Sequence, residues 1–263
     1  MSGAERPIGV FDSGVGGISV LGTLRHLLPS EDFLYYGDTA HAPYGTKPRE
    51  EVLRCADAVM AHLLEQNVKA VVIACNTATS VAAAELRARL TLPIIGMEPA
   101  LKPAHELRHG GQILVLATPM TLTLPKFRAL MARYGEGAVP VPCAGLMELV
   151  EREDWQGAAT YLAARLADFD LTRVDAVVLG CTHYVFLRPV LRELLPDTVS
   201  VLDGNLGTAR QLRRVLAERG LLRTAGTGRA VLETSGDAAE ALPVMTRLLA
   251  TAERMNEEKT VIK

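Results

Sequence analysis

Two cysteines in this chain stand at matching places in two copies of one pattern. Val68-Lys-Ala-Val-Val-Ile-Ala-Cys-Asn-Thr77 aligns with Val174-Asp-Ala-Val-Val-Leu-Gly-Cys-Thr-His183, so Cys75 and Cys181 lie 181 − 75 = 106 residues apart. Each ends an apolar run and precedes small polar residues that open a helical pattern. A helix N-terminus carries partial positive charge, lowers a thiol's pKa and makes the thiolate accessible near neutral pH. Asn76, Thr77, Thr79 and Thr182 supply neutral hydrogen-bond donors around the two sulfurs. A single nucleophilic cysteine would need one His-backed site and no duplicate. A disulfide would bring the strand ends together and leave no room for a ligand. Zinc would find only a C-x-H pair in Cys181 and His183, closer than its usual ligand spacing, so no metal is expected. Two thiols flanking a small ligand suit proton transfer. One removes a proton from carbon, the other returns one to the opposite face, and a stereocentre inverts.

That reaction makes demands on the residues around it. The α-proton of an amino acid is weakly acidic, so its removal calls for a thiolate base and preorganised donors on the substrate carboxylate. His183, two residues beyond Cys181, is placed to set the protonation of that thiol. Asp12 is placed to do the same for Cys75 if the first and third strands are neighbours. Asp12-Ser-Gly-Val-Gly-Gly17 is a glycine-rich strand-to-helix turn, but a third glycine and a Walker lysine are both missing from the nucleotide spacing. It reads either as a backbone nest for a carboxylate or ammonium group or as a purely structural turn. His26, His62, His105 and His109 read as ordinary core or surface histidines, and Cys55 and Cys143 as small buried residues.

Apolar β-branched runs at 8–11, 33–36, 70–74, 93–96, 112–117, 139–142, 175–180 and 199–202 must position these groups. Helical patterns at 50–64, 80–90, 122–134, 157–169 and 187–195 fall between them. Strands alternating with helices of this length predict an α/β fold with mainly parallel sheets. Ile8-Gly-Val-Phe-Asp-Ser13 also aligns with Ile113-Leu-Val-Leu-Ala-Thr118 at an offset of 105. Two segments agreeing at nearly one offset predict two similar α/β domains related by a pseudo-twofold repeat. The expected division is 1–97 plus 208–263 on the Asp12 and Cys75 side, and 98–207 on the Cys181 and His183 side. Ligands of open parallel sheets bind outside the carboxyl ends of the strands, where all these polar clusters fall, so a cleft between the domains is the expected site. Residues 229–249 are expected to return to the first domain, and the charged end, 252–263, to fray.

Composition narrows the partners. With 28 basic and 30 acidic residues the chain has a formal charge of −2, which argues against a nucleic-acid or membrane-surface partner. No run of about 18 apolar residues appears, and Met1-Ser-Gly-Ala-Glu-Arg-Pro7 lacks an apolar signal core. A cytoplasmic protein with free thiols is expected.

Phe11-Asp-Ser-Gly-Val-Gly-Gly17, Tyr36-Gly-Asp-Thr39, Pro43-Tyr-Gly45, Ala74-Cys-Asn-Thr-Ala-Thr79 and Gly180-Cys-Thr-His-Tyr184 together resemble the signature blocks of the glutamate racemase family. The blocks span 8–184, and general similarity runs to about residue 250. The resemblance implies cofactor-independent interconversion of L- and D-glutamate, supplying D-glutamate for peptidoglycan. It implies Cys75 and Cys181 as the acid/base thiols, assisted by Asp12 and His183. It implies substrate contacts from Asp12, Ser13, Tyr44, Gly45, Asn76, Thr77, Thr118, Thr182 and His183. Glu151 resembles the family's acidic residue near the substrate ammonium, with Glu148 and Glu153 close by in sequence. A homodimer is also implied. Departures are His41 where arginine is usual, Val185 for proline and Gly204 for serine; none touches the proton-transfer groups, though His41 puts in doubt any contact that arginine would make with a neighbouring domain or subunit.

Two rivals frame the reading. An aspartate racemase of the same superfamily would carry an acidic residue where His183 stands. A non-catalytic amino-acid-binding protein on the same scaffold would not need both thiols. A pyridoxal-phosphate racemase is disfavoured because no lysine ends a strand in either cysteine cluster. Seven residues precede the first strand, so the gyrase binding associated with an N-terminal extension is not expected.

Overall fold

The computed structural model describes the backbone of residues 3–261 and the side chains of 3–258. It divides into two compact units, Met1–Met97 with Asn205–Lys263, and Glu98–Gly204. In chain order the first unit begins with β1 (Ile8–Asp12), α1 (Ile18–Leu27), β2 (Phe33–Gly37), α2 (Arg49–Glu65), β3 (Ala70–Ile73), α3 (Asn76–Arg89) and β4 (Ile94–Gly96). The second unit contains α4 (Leu101–Glu106), β5 (Gln112–Ala117), α5 (Pro119–Thr123), α6 (Pro125–Tyr134), β6 (Ala138–Pro142), α7 (Leu146–Glu151), α8 (Trp155–Leu166), β7 (Val174–Leu179), α9 (Arg188–Leu194) and β8 (Ser200–Asp203). The chain then returns to the first unit as α10 (Asn205–Glu218), β9 (Ala230–Thr234) and α11 (Ala238–Val261).

Both sheets are parallel, in the orders β4-β3-β1-β2-β9 and β6-β5-β7-β8. Replacing β1, β2, β3 and β4 by β5, β6, β7 and β8 turns the first order into the second, apart from the added β9. The repeat in the sequence is therefore a repeat of topology. The central strands β1 and β3 are buried along their whole length, which is why they read as unbroken apolar runs without alternation. In the second unit Ile113, Val115, Ala176 and Val178 from β5 and β7 pack with Ala100, Leu101, Ala104 and Phe127 in one apolar layer.

Several elements depart from the sequence expectation for physical reasons. The helix expected from residue 80 begins at Asn76, because Cys75 caps it and the polar run after the cysteine forms its first turn. The helix expected over 122–134 is two, α5 and α6. Leu124 precedes a proline and is extended (φ −68°, ψ 143°), which breaks the run. The end expected to fray is helical through Val261. There Ala252 and Asn256 are buried, Thr23 donates to Asn256 Oδ1 at 3.3 Å, and Arg25 pairs with Glu253. Residues 262–263 lie outside those described. At the amino-terminal end of the first sheet, Lys69 and Glu31 form a fully buried ion pair at 2.5 Å. Lys69 also donates to the carbonyl of Ala4, and Glu31 accepts the Arg223 N–H at 2.8 Å.

Candidate active site

The first set of groups sits where β1, β2 and β3 end. Phe11 pairs with Ile73 across β1 and β3, and just beyond it the Ala74 N–H donates to the Phe11 carbonyl at 2.7 Å. Cys75 follows and is the N-cap of α3: its Sγ accepts the Ala78 N–H at 3.4 Å and lies 3.5 Å from Ser13 Oγ. The sulfur thus meets a backbone donor, a hydroxyl and the positive end of a 14-residue helix, all of which favour a thiolate. Thr79 fastens that helix to the sheet, donating to the Ile73 carbonyl at 3.1 Å and accepting the Met97 N–H at 3.2 Å. Asn76 and Thr77 are buried in its first turn.

The glycine turn after β1 folds tightly around Asp12. The Gly14 N–H donates to Asp12 Oδ1 at 2.7 Å, and Tyr35 anchors the turn by donating to the Gly14 carbonyl at 2.8 Å. A Cβ on Gly17 would lie 2.6 Å from Asp12 Cβ and 2.8 Å from its Oδ2, so only glycine admits the buried aspartate. Tyr44, in the short 3-10 turn Tyr44–Thr46 that also holds Gly45, is buried with its ring edge-on to Phe11. Its hydroxyl donates to Asp38 Oδ2 at 2.5 Å. Burial, this carboxylate, and smaller effects of Cys55 and Cys75 raise the phenol's pKa far above its usual value.

The second set sits at the corresponding strand ends of the other unit. Leu116 pairs with Leu179 across β5 and β7, and the Gly180 N–H donates to the Leu116 carbonyl at 2.7 Å, repeating the bond before Cys75. A Cβ on Gly180 would lie 2.9 Å from Ala117 Cβ, which explains the glycine where the first copy has alanine. Cys181 follows, but the chain beyond it is a 3-10 turn, Thr182–Leu187, before α9. The expected α-helical N-terminus is present at Cys75 and not at Cys181.

An imidazole stands in its place. His183 Nδ1 lies 3.7 Å from Cys181 Sγ, and its Nε2 lies 2.9 Å from Glu151 Oε1. Burial alone would lower the pKa of His183, but its bonds to Cys181 and Glu151 outweigh burial and hold it well above the usual 6.5. Burial likewise acts to raise Glu151, yet the bond and charge of His183 hold the carboxyl below 4.5. The two ring nitrogens of His183 thus face the sulfur on one side and the carboxylate on the other, a setting that favours the charged ring. Glu151 reaches it because α7 packs against the 3-10 turn, which is pinned by the Tyr184 hydroxyl donating to the Cys143 carbonyl at 2.9 Å. Cys143 itself is a buried thiol pushed up to about 12, chiefly by burial. Thr182 is buried beside His183, and Thr118, directly after β5, caps α5 by accepting the Thr121 N–H at 3.4 Å.

Asp12, Ser13, Tyr44, Gly45, Cys75, Asn76 and Thr77 thus gather in the first unit, and Thr118, Glu151, Cys181, Thr182 and His183 in the second. Sequence reasoning passed over Asp38, which is buried and accepts from Tyr44, from Ser235 at 2.6 Å and from His41 Nδ1 at 2.8 Å. Its signal was there to read, since an acid follows the apolar run of β2 as Asp12 ends that of β1. Among the described residues, the group of three side chains whose atoms gather as metal ligands is Asp38, His41 and Cys55.

The sequence profile of the Asp/Glu/Hydantoin racemase family matches residues 18–212. A glutamate racemase of Clostridium botulinum (strain Kyoto / Type A2) is 48% identical over 227 residues, covering 85% of this chain and 88% of the relative. A glutamate racemase of Bifidobacterium adolescentis is 52% identical over 223 residues, covering 82% and 86%. Among solved structures, glutamate racemase from Thermus thermophilus in complex with beta-chloro-D-alanine superposes with a TM-score of 0.79 at 38% identity, over 93% of each chain.

Proposed function

The chain belongs to the Asp/Glu/hydantoin racemase family, and we infer that its reaction is the interconversion of L- and D-glutamate, serving peptidoglycan synthesis. It is an amino-acid racemase, an isomerase, and identity near one half with glutamate racemases favours glutamate over aspartate and catalysis over mere binding.

The residue assignment that follows is our proposal. Cys75 and Cys181 act on one α-carbon from opposite faces. In one direction a thiolate takes the α-proton and the other thiol protonates the carbanion from the far side; the reverse direction exchanges their roles, and no net proton is consumed. At Cys75 the thiolate is stabilised by the Ala78 N–H, the Ser13 hydroxyl and the N-terminus of α3. At Cys181 the His183 imidazolium does this work, and Glu151 holds the ring and adds negative charge beside the substrate ammonium. Asp12 assists at Cys75. Ser13, Tyr44, Gly45, Asn76, Thr77, Thr118 and Thr182 bind the substrate's carboxylates and ammonium group. One observation carries this reading: each cysteine directly follows a residue that makes the same 2.7 Å backbone bond to the neighbouring strand. The protein acts in the cytoplasm as a homodimer, which light scattering on the eluting protein tests.

The chemistry is tested with L-glutamate in deuterated water and no added cofactor. Deuterium should enter the α-carbon as the D-isomer forms, and Cys75→Ser and Cys181→Ser should each abolish full racemisation. Wild-type turnover in either variant would refute the two-thiol assignment. Faster inversion of aspartate would refute the substrate.

A further inference from the structure

We propose that Asp38, His41 and Cys55 form a binding site for a divalent transition metal of the zinc class, separate from the proton-transfer groups. The three side chains offer a carboxylate oxygen, an imidazole nitrogen and a sulfur, and the ligand atoms lie within 4.8 Å of one another. That set of donors selects zinc and its neighbours over magnesium or calcium, which prefer oxygen alone. Tetrahedral zinc with bonds of about 2.0–2.3 Å spaces its ligands about 3.3–3.8 Å apart, so closure needs a movement on the order of 1 Å.

The structure supplies both the rigidity and the freedom such a site requires. Asp38 directly follows β2 and Cys55 lies within α2, so two of the ligands stand on or beside fixed elements. The carboxylate is already oriented by hydrogen bonds, from Tyr44 at 2.5 Å on Oδ2 and from Ser235 at 2.6 Å on Oδ1. Outer bonds of this kind hold metal-ligating carboxylates in place. His41, by contrast, sits on the short turn Thr39–His41 with its side chain 52% exposed, so it can swing inward and the ion can enter from solvent. Its Nδ1 already meets Asp38 Oδ1 at 2.8 Å; the metal would replace the proton shared there. On binding, the Cys55 thiol gives its proton to solvent and becomes the thiolate ligand, and water completes the coordination.

Cobalt(II) reports thiolate ligation by a charge-transfer absorption, and it is added to the full chain carrying Cys75→Ser and Cys181→Ser, which removes the thiols of the proposed reaction. One thiolate–cobalt band per chain is expected, bleached by equimolar zinc. Adding Cys55→Ala should abolish the band, and His41→Gln, which removes a ligand, should weaken cobalt binding by at least the about 10- to 100-fold that loss of an outer-shell partner costs. Absence of the band in the double-serine background, or its persistence after Cys55→Ala, would overturn the site. Should the double-serine chain fail to fold, Cys55→Ala in the otherwise unaltered protein answers the same question by the loss, or not, of one band equivalent. Because absorbance and not turnover is read, the outcome is independent of the racemase assignment.

Discussion

Glu151→Gln removes one charge from the Cys181–His183–Glu151 series and leaves its shape unchanged. At 2.9 Å, a full pair with His183 at an effective dielectric of about 20 would be worth about 6 kcal/mol before desolvation. Glu151 is 32% exposed, so water screens part of this, and a hydrogen bond between charged groups nets about 1.5–3 kcal/mol. If all of it supports the imidazolium that serves Cys181, kcat/KM should fall about 10- to 150-fold. The fall must be equal in both directions, because the equilibrium between enantiomers in water is fixed at one. The pH profile separates this role from a merely structural one. Glu151 raises the pKa of His183, so its neutralisation lets the imidazolium deprotonate earlier, and the alkaline limb of the profile should move to lower pH. Stability follows the same pair. The depressed Glu151 contributes above 4.5 and loses its contribution as pH falls through its folded value; the raised His183 contributes below 6.5 and loses its share as pH rises through its folded value. The stability gap between wild type and variant, measured by urea unfolding, should therefore be widest between these two values and narrow on both sides. An unmoved alkaline limb together with unchanged kcat/KM would refute the reasoning.

Three further outcomes are expected. Gly17→Ala forces Asp12 aside, since its Cβ would sit 2.6 Å from Asp12 Cβ; it should cost about 1–3 kcal/mol in urea unfolding and depress turnover as well. Lys69→Met strands the buried Glu31 carboxylate and should cost about 3–5 kcal/mol, with Glu31→Gln in the same chain restoring part of the loss in a double-mutant cycle. Ending the chain after Thr251 removes the Ala252 packing against Gly22 and the buried Asn256–Thr23 bond; a loss of about 2–4 kcal/mol is expected, where a frayed tail would have cost nothing.

Legibility tracked burial. The central strands β1, β3, β5 and β7 are buried on both faces, so their apolar runs announced themselves, and their shared register produced the offset of 105–106. The edge strand β9 went unread. Ala230-Val-Leu-Glu-Thr234 is half-exposed, with Val231 54% accessible, and its partner β2 lies almost two hundred residues away in sequence. The end of α11 misled for a related reason. Its many charges suggested a solvated tail, but Ala252 and Asn256 are spaced one helical turn apart and form the stripe that meets α1. Spacing carried the signal that composition hid.

The two cysteines show where such reading must stop. One backbone device, a bond from the residue before the cysteine to the adjacent strand, sets both sulfurs, and a repeated sequence reveals it. What surrounds each sulfur is set otherwise. Cys75 opens a 14-residue α-helix in whose first turn the Ala78 amide donates to its sulfur, whereas Cys181 is followed by a 3-10 turn that offers its sulfur no such capping bond. The second copy makes good the difference with His183, and His183 depends on a carboxylate brought in by α7 from 32 residues upstream. Equivalent sulfurs thus have unlike neighbours, a fixed dipole in one unit and a titratable imidazole in the other. Of the two supports, only the titratable cation can lose its charge as pH rises. It follows that variants around Cys181 should move the alkaline limb of the pH profile, while Ser13→Ala, which takes one donor from the Cys75 thiolate, should lower turnover and move only the acid limb, to higher pH; an alkaline limb shifted by Ser13→Ala as far as by Glu151→Gln would refute the distinction.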